Sequence, residues 1–176
     1  MQSVYSAARN IKLLIMDIDG VLTDGSLFFD NNGEEIKAFH ARDGHGMHML
    51  FKGDLKAALI TGRKSSLVIH RARNLNISQD LVYQGYRDKL PAFEDLVEKT
   101  GIAPQHIAYI GDDVIDLPVM RRVGLGIAVN DAHPFVRKHA DYVTEKKGGH
   151  GAAREVIELI LEAQGKLQIM LDSYLK

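Results

Sequence analysis

Residues 11–18, Ile-Lys-Leu-Leu-Ile-Met-Asp-Ile, are apolar at nearly every position and carry Asp17 at their end, with a second carboxylate, Asp19, just beyond. So continuous a run lacks the alternation of a half-solvated strand. It predicts a strand buried on both faces. Similar runs recur at 56–61, more weakly at 81–83, and again at 107–110 and 125–129. Amphipathic stretches at about 44–52, 64–75, 88–100 and 113–123 lie between them, and a last helix is expected at about 151–163. Strand and helix alternating through short links predict an α/β fold, a Rossmann-like and mostly parallel sheet with helices on both faces. In such sheets ligands bind outside the carboxyl ends of the strands, so the residues that follow each strand matter most.

One segment interrupts the alternation. Ser26-Leu-Phe-Phe29 and Glu35-Ile-Lys-Ala-Phe39 flank Asp30-Asn-Asn-Gly33, a strong turn signal, and predict a β-hairpin over about 26–39 that projects from the sheet. Its Leu27, Phe28, Phe29, Ile36 and Phe39 are apolar for a two-stranded unit, which is marginal in water unless it packs on something. The tail at about 165–176 is likewise too apolar for a simple solvated end, with Leu167, Ile169, Met170, Leu171, Tyr174 and Leu175. Only the hairpin separates strand one from the first helix, and later links are short, so no inserted cap domain is expected. At 176 residues the chain reads as a single domain.

A net charge of −1 gives no electrostatic reason to expect nucleic acid or an anionic membrane as partner. The chain has no cysteine, which excludes disulfides, thiolate chemistry and sulfur-ligated metals. The first twelve residues do not read as a signal peptide, and no run approaches the roughly 20 apolar residues of a membrane span, so cytoplasm is the expected location.

The chemistry-bearing residues fall where the strands end. Strand one closes in Asp17-Ile-Asp-Gly20, and strand four in Gly111-Asp-Asp-Val-Ile-Asp116. Carboxylates crowded at the mouth of a buried strand repel one another and resist desolvation unless a cation sits between them. Strand two ends in Thr61-Gly62-Arg63, and Arg87-Asp-Lys89 follows strand three, giving a hydroxyl and fixed cations for an anion. Oxygen donors without histidine at these turns suit magnesium rather than zinc.

In this order Asp17-x-Asp19-Gly, Thr61-Gly62, Lys89 and Gly111-Asp112-Asp113-x-x-Asp116 resemble the four motifs of the haloacid dehalogenase superfamily, over about residues 11–130. The hairpin's Asn-Gly-Glu-Glu, Phe39-His-Ala-Arg-Asp-Gly44, Gly148-Gly-His-Gly-Ala-Ala-Arg154 and Ala163-Gln-Gly-Lys166 extend the likeness to capless sugar-acid phosphatases of that superfamily. The resemblance implies a Mg2+-dependent phosphatase acting on a sugar acid phosphate of lipopolysaccharide synthesis and assembled as a homotetramer. Substrates with eight-carbon and nine-carbon sugar acids are both compatible with the residues. On this reading Asp17 is the nucleophile and Asp19 the general acid and base. The metal falls to Asp17, the Asp19 carbonyl and Asp112, with Asp116 supporting them. Thr61, Gly62 and Lys89 bind the phosphoryl group, while Arg63, and further along its helix Arg71, are candidates for the sugar carboxylate. Asp113 suits either a ligand or a helix cap, and His150 stands out among eight histidines only by its place in Gly-Gly-His-Gly. A signalling receiver domain also phosphorylates an aspartate on a parallel sheet. Its acceptor follows the third strand, however, and Leu81-Val-Tyr-Gln-Gly85 has none.

Overall fold

The computed structural model describes residues 2–176. Six strands pair in parallel in the order β5-β4-β1-β6-β7-β8. They are β1 (Leu13–Met16), β4 (Lys56–Thr61), β5 (Val82–Gln84), β6 (Ile107–Gly111), β7 (Leu125–Ala128) and β8 (Tyr142–Val143). Leu13 of β1 sits opposite Lys56 on one side and Ile107 on the other. Leu13, Leu14, Ile15 and Met16 are fully buried, each contributing roughly 1.5–3 kcal/mol relative to exposure. The chain leaves β1 for β4 on one side and returns to β6 on the other. The strand order therefore reverses at β1, and the crevice lies at the carboxyl ends of β1 and β6.

The hairpin is β2 (Phe28–Phe29) with β3 (Glu35–Ile36), shorter in regular pairing than the sequence pattern predicts. Asp30 closes its turn by accepting from the Asn32 and Glu34 amides. Phe28, Phe29 and Ile36 are each more than half exposed. Phe39 instead turns inward against the core, under the Arg71 guanidinium.

The helices α2 (Ala41–Lys52), α3 (Ser66–Asn74), α4 (Leu90–Thr100) and α7 (Ala152–Ala163) lie within two or three residues of their expected bounds. α1 (Gln2–Ala8) and α2 both pack on α7, and α4 packs on α5 (Leu117–Met120). The helix expected over 113–123 is a 3-10 turn at Val114–Asp116 followed by the single-turn α5, because Asp113 and Asp116 close a capping box that tightens the start. α1, α6 (Pro134–His139) and β8 do not stand out in the sequence pattern, since none is long enough to display a period. The tail forms α8 (Leu167–Asp172) and lies against its own chain. Lys166 Nζ donates to the Gly53 carbonyl at 2.6 Å, Met170 is buried, and Tyr174 meets His45 ring to ring. Ile169 and Leu175 remain largely exposed. No helix is long and apolar enough to cross a membrane among the described residues.

Candidate active site

β1 delivers Asp17 and β6 delivers Asp112 to the same edge because the two strands are paired neighbours, with the Asp17 amide donating to the Ile110 carbonyl at 3.1 Å. The 18–24 loop then curls back on itself, with the Val21, Leu22 and Thr23 amides all donating to the Ile18 carbonyl. Gly20 makes this possible. Its φ of +91° suits glycine, and a Cβ there would collide with the Asp112 carboxylate. Gly148 closes the loop from behind, where a side chain would run into the Gly20 carbonyl, and the Gly149 amide donates to the Val21 carbonyl at 2.9 Å. Asp131, just after β7, holds this glycine turn by accepting from the Gly148 amide.

Lys89 is the centre of the site's charge. Its ammonium is wholly buried, 2.9 Å from Asp17 Oδ2 and 2.6 Å from Asp116 Oδ1. Tyr109 on β6 accepts from Lys89 and donates to the same Asp116 oxygen at 2.6 Å. The other Asp116 oxygen accepts from the Asp112 and Asp113 amides. Asp17, Asp112 and Asp116 bring oxygens within 4.8 Å of one another, yet those of Asp116 are committed to protein donors. Each Asp116 oxygen takes two such donors, so Asp116 orients the cluster. Each Asp17 oxygen takes only one, from the Ile18 amide or from Lys89, which leaves Asp17 and Asp112 as the carboxylates with lone pairs for a cation. Asp112 Oδ1 is buried without a hydrogen-bond partner, the kind of orphan a metal satisfies.

Electrostatics point the same way. Burial pushes the Asp17 carboxyl up to about 7, with Lys89 pulling it down and Asp116 pushing it up. Burial pushes Asp112 up to about 8, and Asp116 and Asp17 add to the rise. Burial disfavours the Lys89 charge, but Asp17 and Asp116 outweigh it and the ammonium is held above its ordinary range. One ammonium among three carboxylates leaves an excess of negative charge, and the all-oxygen donor set fits a hard divalent cation.

Thr61 and Gly62 end β4 beside this cluster. The loop after β5 is stitched to them, the Tyr86 amide donating to the Thr61 carbonyl and the Gly85 amide to that of Arg63, each at 3.1 Å. Arg63 reaches the hairpin, where its guanidinium meets Glu35 Oε1 at 2.9 Å and lies 3.8 Å from Asp19 Oδ2. Arg71 is placed elsewhere, over the Phe39 ring and against the His40 carbonyl. Asp43, buried nearby, accepts from the Arg154 amide and joins the starts of α2 and α7. Asp113 caps the 3-10 turn, and His150 bonds the Gly148 carbonyl within its own turn.

Two side chains at the site go unmarked by the motifs. Tyr109 sits in the middle of an apolar run, and only its hydroxyl hints at a partner. Lys37 of the hairpin is bonded to the Asp19 carboxylate and lies 3.1 Å from Glu35. Lys37 directly follows β3 and stands two residues from Glu35, and in extended chain residues so spaced share a face, the one signal that points to them in advance.

A family model described as haloacid dehalogenase-like hydrolase matches residues 81–156. The 3-deoxy-D-manno-octulosonate 8-phosphate phosphatase of Escherichia coli K12 is 55% identical over 164 residues, covering 93% of this chain and 86% of that protein. Among solved structures, the same phosphatase from Yersinia pestis superposes with a TM-score of 0.92 at 51% identity, over 94% of this chain and 89% of that one. The Moraxella catarrhalis phosphatase, crystallised with magnesium ion, phosphate ion and KDO, superposes with a TM-score of 0.95 at 44% identity, over 99% of both chains.

Proposed function

From the chain's membership of the haloacid dehalogenase-like hydrolases, shown by relatives that are 55% identical over nearly its whole length, we propose that it hydrolyses 3-deoxy-D-manno-octulosonate 8-phosphate through a phosphoryl group carried on Asp17. It is then a Mg2+-dependent phosphoric monoester hydrolase of lipopolysaccharide sugar biosynthesis, releasing the free sugar acid and phosphate. The observation that carries the reading is the buried Asp17–Lys89–Asp116 bridge beside the unpartnered Asp112 carboxylate, at the switch point of the sheet.

The residues divide the work by what they can reach. Asp17 and Asp112, with the Asp19 backbone carbonyl, are the groups that hold Mg2+, and the bound ion supplies positive charge to the phosphoryl oxygens. Asp17 attacks phosphorus as the bond to the sugar oxygen breaks, and Asp19 gives that oxygen its proton. Asp19 then takes a proton from water, whose oxygen displaces Asp17 and releases inorganic phosphate. Lys89 and the Thr61 hydroxyl face charge that spreads over the phosphoryl oxygens. Lys89 is already fixed by Asp116 and Tyr109, so little reorganisation is needed when that charge develops. Arg63 is the reader of the sugar carboxylate, and Glu35 is its partner when no substrate is bound. Arg71 contributes through the base of the hairpin.

The whole chain acts as one haloacid dehalogenase-like domain. The exposed hairpin is covered by copies of the same chain in a homo-oligomer, a tetramer on the family resemblance. The tail, folded on its own α2 in the single chain, is within that assembly the candidate lid for a neighbour's site. Phosphate release from a panel of sugar phosphates, with magnesium and with chelator, tests the activity. The expected result is preference for the eight-carbon sugar acid phosphate, loss on chelation, and a fall of orders of magnitude in a folded Asp17→Asn variant. More than a few per cent of wild-type turnover in that variant would refute the covalent route.

A further inference from the structure

Lys37 has no part in the mechanism set out above, yet its side chain is only 1% exposed. A lysine ammonium withdrawn from water needs paired partners to stay charged. Here it has two, Oδ1 of Asp19 and, at 3.1 Å, Oε1 of Glu35. Glu35 is held in turn by the Arg63 guanidinium at 2.9 Å. The hairpin thus delivers a fixed cation to one oxygen of the carboxylate that trades protons with substrate. The other oxygen, Asp19 Oδ2, is buried and has no hydrogen-bond partner. Arg63 Nε lies 3.8 Å from it, beyond hydrogen-bond range. The two oxygens of Asp19 are therefore unequal: one is tied down and one is left open.

We propose that Lys37 is a positioning residue for Asp19, fixing its carboxyl through Oδ1 so that Oδ2 is the atom that meets the leaving group and then the water. This rests on the phosphatase reading. In the first half-reaction the Asp17 oxygen–phosphorus bond forms and the phosphorus–sugar oxygen bond breaks. The electron pair goes to the sugar oxygen, which takes its proton from Asp19 Oδ2. In the second half a water oxygen bonds to phosphorus and its proton passes to the same Oδ2. The Asp17–phosphorus bond then breaks, restoring both aspartates. Both transfers use one oxygen in one place, and such geometry decides rate, since a misplacement of about 1 Å can cost on the order of a hundredfold. The hairpin then has a catalytic reason to sit at the site, in addition to the surface it offers outward.

The test is a leaving-group series on the full-length protein with magnesium, from sugar and alkyl phosphates to aryl phosphates with good leaving groups. Lys37→Met keeps the buried stem and removes the ammonium. It should lose about 10- to 100-fold in kcat/KM on sugar and alkyl esters and less than about threefold on the best aryl ester, whose oxygen departs with little need of a proton. The dependence on leaving-group pKa should steepen accordingly. Lys37→Arg keeps the charge, but its fork cannot reproduce the single ammonium contact. It should lose less than the methionine variant on sugar and alkyl esters and nothing on the best aryl ester, and it is the deciding variant if the methionine protein does not fold. Equal losses across the series in either variant, or no loss, would overturn it. Inactivity of the wild type towards every ester would overturn the phosphatase reading, and the proposal with it.

Discussion

Replacing Lys89 with methionine isolates the interaction on which the site's charge balance rests. Methionine fits the buried stem, so the change removes mainly the ammonium between Asp17 and Asp116. Breaking a buried ion pair on one side strands charge in low dielectric and costs about 3–5 kcal/mol. For a chain of this length each kcal/mol lowers the melting midpoint by about 2–4 °C, so the expected fall is about 6–20 °C. Its pH dependence has a definite sign. Asp17, already pushed up to about 7 by burial, loses the ammonium that pulls it down and keeps its proton to higher pH. The folded variant then binds more protons than the unfolded chain over a wider range, so its stability falls as pH rises and the defect is larger at pH 8 than at pH 6. A divalent cation supplies some of the missing charge, so magnesium should stabilise the variant at pH 8. Urea unfolding followed by far-UV circular dichroism, at both pH values with chelator and with magnesium, measures all three effects. A loss under about 1 kcal/mol at pH 8, or the same loss at both pH values, would show that Lys89 is not the counter-charge of a buried carboxylate pair.

In the wild type, Asp17 and Asp112 are pushed up to about 7 and about 8, chiefly by burial, so their contribution to stability is present at low pH and lost as pH rises through those values. Scanning fluorimetry should therefore find the metal-free protein less stable at pH 8 than at pH 6, and the gain on adding magnesium larger at pH 8; a gain independent of pH argues against the carboxylate site. Arg63→Ala should cost roughly ten- to a hundredfold in kcat/KM on the sugar acid phosphate, the loss of one charge-assisted bond of about 1.5–3 kcal/mol, and much less on an uncharged sugar phosphate. Equal losses on both would assign Arg63 to phosphate or to the hairpin. Sedimentation should give a homotetramer, and Phe28→Glu on the exposed hairpin face should shift it to smaller species. Deleting residues 166–176 should leave the assembly intact and reduce kcat/KM on the sugar acid phosphate more than on a small aryl phosphate; unchanged kinetics on both would remove the lid.

Much of the molecule is legible along the chain because the information is local. The apolar runs ending at Asp17, Thr61 and Gly111 identify buried parallel strands, and a parallel sheet places the residues after each run at one edge, whatever the loops do. The oxygen-only donors at those ends follow from residue type alone. What the chain order does not contain is distance. Lys89 takes its place between Asp17 and Asp116 only because α4 begins under the edge formed by β1 and β6, and the rise of Asp17 and Asp112 to about 7 and about 8 comes from burial, which no linear pattern carries. Short elements such as α6 and β8 span too few residues to show a period and are ordered by what they pack on. The tail reads as apolar but unplaced, and its position along α2 comes from contacts made more than a hundred residues away in sequence, at Gly53 and His45. The pairing of Lys37 with Asp19 is of the same kind. Alternation along the extended chain puts Lys37 and Glu35 on one face, but only the fold turns that face onto the carboxylate, since Coulomb energy and desolvation depend on separation in space and not along the chain.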